Sequence, residues 1–541
     1  MIAYISFASA LTFVAVTQSY TRPPHLVDLG YAKHVPTWTN ITPAGTELLN
    51  YNNIRYAQTP YGELRFRKPK TPPSYERGYQ NGDRTSWVTD CISSAHPGVP
   101  FPLINGSTWG SEDCLFLNVI KPKNAKEGDK LPVLHWVVGS AYSFGGKDWT
   151  GFGMNTYGLF NRPMNLTDQF IIVTHNYRLG TLGWLPKLED DMNGNVGVWD
   201  TLSAIKWTKE HIHKFGGDAN RITAIGQSAG AGILTWLLLS EEGTLTLPFE
   251  QAWISSPAIP PRYNLERSRT VFDFVLNATG CDNVECMRKV PESTIRTANK
   301  LIMGQVPSAG GGSLGLDPGF TPTVDGELVS ELPAAGFAHG KINEGIKKLV
   351  VATTAFEGLG LSSDYDMPSR FPDLVRANIP NASSKSIATL LSTYNFSPDR
   401  PEKLAWDYVT DIVFGCTALN IVQAYRDRAR QYLFSVPPAT HGMDLSCEPN
   451  LDFFYADNAT TPVVNLETAL SSESYLLQFI FGEDLKALGP ESDLSEWPVY
   501  GEDEIAANIT AGGYTFGPLA KEAQQRCAYI NEMLMDPQSG V

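Results

Sequence analysis

The pentapeptide Gly226-Gln227-Ser228-Ala229-Gly230 has the spacing Gly-x-Ser-x-Gly, which can hold a serine nucleophile at a sharp turn. The preceding "RITAIG" is β-branched and typical of a buried strand, and the following "AGAGILTWLLL" is typical of a buried helix. A strand, a one-residue bend and a helix hold the hydroxyl near a helix N-terminus, and the flanking glycines avoid clashes there. We therefore predict that Ser228 is a nucleophile rather than a small residue in a tight turn.

The same pattern recurs at Gly311-Gly312-Ser313-Leu314-Gly315. This copy lies in "GQVPSAGGGSLGLDPG", which has neither a strand-like segment before the serine nor a helix-like one after it. The context that the motif requires is missing, so we predict that Ser313 is a loop residue.

A serine hydroxyl is a weak nucleophile and needs a base, which in turn needs an orienting acid. In folds that hold a serine in such an elbow, a sharp bend between a strand and a helix, the acid comes next along the chain and the histidine last. Only His339 and His441 follow Ser228 in the sequence. His339 precedes the strand-like segment that carries the acid, whereas His441 lies in the loop "PPATHGMDLS" after the strand-like "YLFSV". We predict His441 as the base, with a solvated loop histidine as the alternative.

The acid should end a strand between the serine and the histidine. Glu357 directly follows the apolar run "KKLVVATTAF" and precedes a glycine, whereas Asp364 and Asp366 lie further into the loop. We predict Glu357 as the acid, with a solvated loop carboxylate as the alternative.

The elements around these residues predict an α/β fold. Apolar strand-like runs such as "LPVLHWVVG" and "QFIIVTHNY" alternate with helical patterns such as "VWDTLSAIKWTKEHIHKF". This alternation is typical of a parallel sheet covered by helices, whose catalytic groups lie at the carboxyl ends of the strands. Neither a repeat nor a linker is evident, so residues 20–541 are predicted to form a single domain.

Composition and the N-terminal residues indicate a secreted protein. The 541 residues carry a net charge of −15 and no basic cluster, which makes a nucleic-acid partner a poor prediction. Residues 1–19 begin with an apolar run and are predicted to be a signal peptide, with cleavage near Thr17 to Ser19. A membrane anchor is the alternative, but the run is short for a span and no later run is long enough.

Glycosylation sequons and cysteines fit the same compartment. The seven cysteines allow three disulfides and one free thiol, and their spacing does not resemble a zinc site. The chain also has sequons for N-linked glycosylation, of which the one at Asn395 is a doubtful glycosylation site because a proline follows it. The candidate glycosylation sites are Asn40, Asn105, Asn165, Asn277, Asn381, Asn458 and Asn508.

Several segments in the right order resemble the type-B carboxylesterase and lipase family, which includes the cholinesterases. They include "NIRYAQTPYGELRFRKP", "SEDCLFLNV", "FGGDANRITAIGQSAGAG" and "HGMDL". The resemblance implies an α/β-hydrolase fold with a large, mostly parallel sheet flanked by helices. It also implies the triad Ser228, Glu357 and His441, which the residues alone had indicated, and it implies no cofactor.

The resemblance further implies the cysteine pairs Cys91–Cys114, Cys281–Cys286 and Cys416–Cys527. The first pair would close a loop over the active site, which forms a lid in the lipases of the family. Cys447 is left over, and we expect an inert thiol there rather than a reactive one.

The chain departs from the family pattern at two places. The residue before the nucleophile is usually glutamate and here is Gln227. The glycine-rich oxyanion stretch aligns with Val138-Gly139-Ser140-Ala141-Tyr142, which lacks two of three glycines. Backbone N–H groups of Ser140, Ala141 and Ala229 are the predicted donors, and the added side chains should narrow the acyl side of the pocket.

The leading hypothesis is a secreted serine carboxylic ester hydrolase that acts through an acyl-enzyme on a small or moderately apolar ester. The aromatic residue that binds a choline head group in the cholinesterases has no aligned counterpart here, since counting back from the SEDC motif leads to Ile104, and a choline ester is therefore a poor expectation. One alternative is an acyltransferase or tailoring enzyme with the same triad. The other is a non-catalytic binding protein, against which the intact triad argues.

Overall fold

The computed structural model describes most of the chain beyond residue 22. The described residues are 23–42, 44–97, 104, 106–139, 141–148, 158–160, 169–261, 265–304, 320–359, 361–362, 365–444, 466–486 and 496–541. The predicted signal peptide, residues 1–19, therefore lies outside them, as do Ser140, Ser313, Asp364 and Cys447. No helix in the described part of the chain is long and apolar enough to cross a bilayer.

Strands alternate with helices over most of the described chain. The strands are β1 Val27–Asp28, β2 Lys33–His34, β3 Trp38–Ile41, β4 Glu47–Arg55, β5 Tyr79–Gln80, β6 Ser93–Ser94, β7 Thr108–Trp109, β8 Phe116–Pro122, β9 Leu131–Val137, β10 Ile171–His175, β11 Gly217–Gln227, β12 Gln251–Ser255, β13 Lys348–Thr354, β14 Ala429–Phe434, β15 Ile505–Thr510 and β16 Gly513–Pro518.

The helices are α1 Ser86–Thr89, α2 Gly180–Trp184, α3 Val196–His211, α4 Ala229–Leu239, α5 Leu265–Thr279, α6 Val284–Lys289, α7 Glu292–Gly304, α8 Pro333–Ala338, α9 Phe371–Asn378, α10 Ser384–Leu391, α11 Lys403–Val409, α12 Cys416–Tyr425, α13 Leu466–Phe481 and α14 Lys521–Met535. A π-helical turn, Thr410–Gly415, joins α11 to α12.

An eleven-stranded sheet organises the molecule, in the order β16-β15-β14-β13-β12-β11-β9-β10-β8-β4-β3. The strands from β15 to β10 in this order pair in parallel, and antiparallel strands extend the sheet at both edges. The central strands are buried along nearly their whole length, which explains their continuous apolar runs. The carboxyl ends of β11, β13 and β14 therefore lie at the same edge of the sheet.

Helix α4 packs directly on the central sheet. All its residues from Ala229 to Leu239 are buried, because the helix is apolar on every side and contacts β11, β12 and α3. This packing fixes the helix N-terminus directly after β11. The position of the residue between them, Ser228, is thereby set by the core of the fold.

A polar ladder crosses the core between two central strands and α3. His135 Nδ1 lies 3.0 Å from Thr208 Oγ1, and His135 Nε2 lies 2.9 Å from His175 Nδ1. His175 Nε2 in turn lies 3.2 Å from Thr201 Oγ1. Burial lowers the pKa of both imidazoles, that of His175 to about 3, so both are neutral at physiological pH.

The structure contains the three disulfides that the family resemblance implied. Cys91 bonds to Cys114, and Cys281 bonds to Cys286. The third disulfide joins Cys416, at the start of α12, to Cys527 in α14, across a sequence separation of 111 residues. It therefore ties the C-terminal helix to the layer that packs on β13 and β14.

Candidate active site

Ser228 forms the bend between β11 and α4. Its backbone has φ 56° and ψ −124°, a conformation that costs a non-glycine residue about 1–3 kcal/mol. Three backbone hydrogen bonds hold it there. The Ser228 N–H donates to Ser255 O at 3.0 Å, and Ser228 O accepts from the N–H groups of Gly232 at 2.9 Å and Ala258 at 3.2 Å. The fold therefore imposes the strained turn that the sequence motif predicts.

The two glycines of the pentapeptide allow β11, α4 and the neighbouring backbone to pack closely at the bend. A Cβ on Gly230 would lie 2.1 Å from Val137 O, and a Cβ on Gly226 would lie 2.7 Å from the Gly230 carbonyl group. Both contacts involve backbone atoms that cannot move aside. Close packing therefore requires each glycine of the motif, independently of any chemistry at the serine.

The structure brings the three predicted triad residues into one hydrogen-bonded chain. His441 Nε2 lies 2.8 Å from Ser228 Oγ, and His441 Nδ1 lies 2.5 Å from Glu357 Oε2. Glu357 follows β13 and His441 follows β14, and their loops meet where Phe356 pairs with Thr440. A buried carboxylate beside Nδ1 places the proton on Nδ1, which leaves the Nε2 lone pair free to accept from the serine hydroxyl. This arrangement can deprotonate Ser228.

Glu357 is fully buried and is held by groups that sequence reasoning did not identify. Ser256 Oγ donates to Glu357 Oε1 at 2.6 Å, and the Thr354 N–H donates to the same oxygen at 2.6 Å. Ser256 directly follows β12, the strand between those that carry the serine and the acid. The only hint in the sequence was that Ser256 follows an apolar strand, and Ser256 belongs to no recognisable motif.

A second carboxylate, Asp444, lies close to the triad and was also missed. Asp444 is buried, and the Tyr432 hydroxyl donates to its Oδ2 at 2.7 Å. Burial raises the pKa of Asp444 to about 6, and the charge of Glu357 contributes in the same direction. His441 therefore has two acidic residues in its surroundings, of which Glu357 makes the direct contact.

The rejected alternatives lie elsewhere. His339 is exposed and its Nδ1 pairs with Glu331 Oε2 at 2.8 Å. Asp366 Oδ1 accepts from Ser362 Oγ at 3.2 Å within its own loop. Neither residue joins the hydrogen-bonded chain that runs from Ser228 to Glu357.

The predicted oxyanion stretch follows β9 and runs beside the elbow. A Cβ on Gly139 would lie 3.0 Å from Ser228 Cβ, so this stretch borders the serine directly. Ala141 and Tyr142 have φ values of 47° and 60°, in the left-handed region that glycine adopts without strain. The Tyr142 hydroxyl donates to Ala258 O at 2.7 Å, and Tyr142 O accepts from the Gly180 N–H at 2.8 Å. These bonds hold the left-handed backbone at two residues that are not glycine.

The third predicted donor, Ala229, is the first residue of α4 and is fully buried. The loop closed by Cys91 and Cys114 packs nearby: Ala95, Ile104 and Trp109 form an apolar cluster with Phe144, against which Ala141 packs. Apolar side chains therefore border the predicted oxyanion stretch beside Ser228.

The candidate glycosylation sites differ in accessibility. Asn277 and Asn381 are exposed, as is the doubtful Asn395, whereas Asn40 and Asn508 are half-buried. The Asn381 side chain donates to Gln538 O at 2.9 Å. The remaining candidates, Asn105, Asn165 and Asn458, lie outside the described residues.

Comparison with known proteins gives consistent matches over nearly the whole chain. The carboxylesterase family model matches residues 39–496. Carboxylesterase patB of Aspergillus clavatus is 28% identical over 504 residues, covering 84% of this chain and 87% of that protein. A secreted lipase of Arthroderma benhamiae is 26% identical over 404 residues, covering 71% of this chain and 74% of that protein.

Among solved structures, Aspergillus niger EstA superposes with a TM-score of 0.77 at 22% identity, covering 96% of this chain and 99% of that one. A pNB esterase superposes with a TM-score of 0.72, also at 22% identity, covering 93% of this chain and all of that one. These neighbours confirm the predicted α/β-hydrolase fold.

Proposed function

This chain belongs to the carboxylesterase family and is a carboxylic ester hydrolase, and from that premise we propose that it acts through a serine triad and an acyl-enzyme. The hydrogen-bonded chain from Ser228 through His441 to Glu357 carries the proposal. It joins a nucleophile, a base and an orienting acid at distances suited to proton transfer.

In this mechanism the Ser228 hydroxyl attacks the ester carbonyl while His441 Nε2 takes its proton. The imidazolium returns that proton to the leaving alcohol, and the resulting acyl-enzyme is hydrolysed when His441 activates a water molecule. Glu357 keeps the Nδ1–H tautomer and stabilises the charged imidazole. The N-terminus of α4 begins at the next residue and favours the negative charge that develops beside Ser228.

Backbone N–H groups of Ser140, Ala141 and Ala229 form the oxyanion hole in this proposal. The left-handed backbone at Ala141 supports it, because the glycine of the family's pattern adopts this conformation without strain. A donor in such a hole is worth on the order of 3 kcal/mol of transition-state stabilisation.

The proposed substrate is a small or moderately apolar ester. The apolar cluster of Ala95, Ile104, Trp109 and Phe144 supports it, because Ala141 packs against that cluster beside the elbow. Side chains at Ser140 and Ala141, where the family has glycine, would limit the size of the acyl group.

We also propose that the protein is secreted. Three disulfides fit an oxidising compartment, two candidate sequons, at Asn277 and Asn381, lie on exposed residues, and one relative is a secreted lipase. Cleavage of residues 1–19 and glycan attachment at the sequons are the parts of this proposal that mass spectrometry of the secreted protein would test.

Hydrolysis of p-nitrophenyl acetate tests the mechanism. Ser228→Ala should lower kcat by several orders of magnitude, because the covalent route is lost, whereas the control Ser313→Ala, in the same five-residue pattern, should leave kcat nearly unchanged. The reverse result would reject Ser228. Adding an alcohol acceptor to the same assay measures acyl transfer; a product dominated by the new ester would favour an acyltransferase.

A further inference from the structure

The Tyr142 side chain joins the predicted oxyanion stretch to the loop that follows β12, residues 256–259. The Tyr142 hydroxyl donates to Ala258 O at 2.7 Å, and the Ala258 N–H in turn donates to Ser228 O at 3.2 Å. Tyr142 and Ala258 are 0% and 1% exposed, so water cannot replace either partner. Two consecutive hydrogen bonds therefore connect the oxyanion stretch to the backbone of the proposed nucleophile.

The same loop also holds the proposed acid. Ser256 Oγ donates to Glu357 Oε1 at 2.6 Å, two residues before the Ala258 that binds Ser228. The loop thus fixes the acid through a side chain and the nucleophile through its backbone. The Tyr142 hydroxyl attaches the oxyanion stretch to this common support.

Helix α4 leaves room for the hydroxyl at Gly232. A Cβ at this position would lie 2.1 Å from the Tyr142 hydroxyl oxygen and 2.6 Å from Ala258 O, the two atoms of the hydrogen bond. Gly232 lies in the interior of a fully buried helix, where glycine is less favourable than alanine. The glycine therefore serves the hydrogen bond rather than the helix.

The anchored tyrosine bears on the neighbouring donor because the backbone there is strained. Ala141 and Tyr142 have φ values of 47° and 60°, which residues other than glycine keep only under constraint. Tyr142 is held through its hydroxyl and also through its carbonyl oxygen, which accepts from the Gly180 N–H at 2.8 Å. Its ring packs edge-on against Trp184, at 4.9 Å between ring centroids. The Ala141 N–H lies one residue before these contacts, so its direction depends on them.

We propose that Tyr142 is a positioning residue for the oxyanion hole, whose hydroxyl keeps the Ala141 N–H aligned with the ester carbonyl that Ser228 attacks. The proposal rests on the proposed serine mechanism and names a residue on which its oxyanion hole depends. Tyr142 acts through Ala141 rather than on the ester. Because the N–H stabilises the charge that develops on the carbonyl oxygen, the contribution of Tyr142 belongs to the transition state rather than to substrate binding.

Tyr142→Phe tests the proposal, because it removes the hydroxyl and keeps the ring. The kcat for p-nitrophenyl acetate should fall by about five- to tenfold with KM nearly unchanged. Misplacing a catalytic group by about 1 Å costs on the order of a hundredfold, and the remaining bond from Gly180 limits the displacement here. A trifluoromethyl ketone, which forms a hemiketal oxyanion with an active serine, gives a second readout. Its inhibition constant should rise by the same factor as kcat falls.

Tyr56→Phe is the matched control. Tyr56 is 1% exposed and its hydroxyl donates to Asn176 O at 2.6 Å, so this variant also loses a buried bond from a tyrosine to a backbone carbonyl. Both variants should unfold at a similarly lowered urea concentration, but Tyr56→Phe should keep the wild-type kcat and inhibition constant. A Tyr142→Phe protein whose kcat and inhibition constant match those of Tyr56→Phe would overturn the proposal, because the hydroxyl would then serve stability alone.

Active-site titration separates failure of this proposal from failure of the serine mechanism. Diethyl p-nitrophenyl phosphate releases one p-nitrophenol for each reactive serine, so kcat refers to functional enzyme even in a variant that folds only in part. A wild-type protein that hydrolyses esters without this burst would overturn the serine mechanism and the role of Tyr142 with it. A stoichiometric burst in the wild type and in both variants, with equal kcat in Tyr142→Phe and Tyr56→Phe, would overturn the role of Tyr142 alone.

Discussion

Removal of the Ser256 hydroxyl should weaken the orientation of the base without touching the ester. Oxygen Oε1 of Glu357 accepts two hydrogen bonds, from Ser256 Oγ and from the Thr354 N–H, both at 2.6 Å. The carboxylate is fully buried, so no water can replace a lost donor. A hydrogen bond to a charged group is worth about 1.5–3 kcal/mol, and Ser256→Ala should lower the free energy of unfolding by about 2 kcal/mol.

The same substitution should lower kcat. Loss of the whole orienting acid in a serine triad costs about 10⁴-fold in kcat, which is equivalent to about 5–6 kcal/mol. Ser256→Ala keeps the acid and removes one of the contacts that fix it, so we expect a kcat about tenfold lower, with KM nearly unchanged. Steady-state kinetics on p-nitrophenyl acetate and urea denaturation measure the two effects.

Ser255→Ala is the control for this experiment. Ser255 is the neighbouring residue and equally buried, but its hydroxyl makes only a 3.4 Å contact with the Tyr432 hydroxyl. It should retain the wild-type kcat. A folded Ser256→Ala protein with the kcat of the wild type would refute the reasoning, because it would show that Glu357 does not depend on this donor.

Three further predictions concern stability and the acyl pocket. Burial lowers the pKa values of His135 and His175 below those in the unfolded chain, so the unfolded state binds more protons below about pH 6.5. The free energy of unfolding should therefore fall by about 1.4 kcal/mol per pH unit for each histidine as the pH is lowered. Urea denaturation of a His135→Val, His175→Ile double variant should show a shallower loss, and an unchanged slope would contradict this. Replacing Cys416 and Cys527 by serine should lower the free energy of unfolding by about 4–5 kcal/mol, since the disulfide closes a long loop; a loss under about 1 kcal/mol would count against it. Glycine at both Ser140 and Ala141 should raise activity on longer or branched acyl esters and leave acetate hydrolysis unchanged if bulk is their main effect. An acetate rate about tenfold lower would instead show that the Ser140 hydroxyl donates a bond.

The sequence predicted the fold and the residues of the proposed triad because both depend on local patterns. Apolar runs mark the buried parallel strands, and the positions of Glu357 and His441 in the loops after two of them follow from the rule that catalytic groups lie at the carboxyl ends of strands. Only three-dimensional packing reveals Ser256. It has no motif, and it reaches Glu357 because β12 lies between β11 and β13 in the sheet.

Two other features were likewise hidden in the sequence. Gln227 was recognised as a departure from the family's glutamate, but its contact with His441 joins residues 214 positions apart. The contact between His135 and His175 arises because β9 and β10 pair side by side in the sheet. His135 lies opposite Val173, which is two residues before His175 along β10. In the sequence His135 is a single polar residue in an apolar run and His175 lies between Thr174 and Asn176, and neither pattern carries a sign of a partner.

Covalent labelling tests the central claim, that Ser228 is the nucleophile, most directly. The purified protein is treated with a fluorophosphonate, digested and mapped by mass spectrometry. The account predicts one adduct on the peptide that contains Ser228, loss of ester hydrolysis in proportion to labelling, and no adduct in Ser228→Ala. An active protein that is labelled at another serine, or that hydrolyses esters without being labelled, would contradict it.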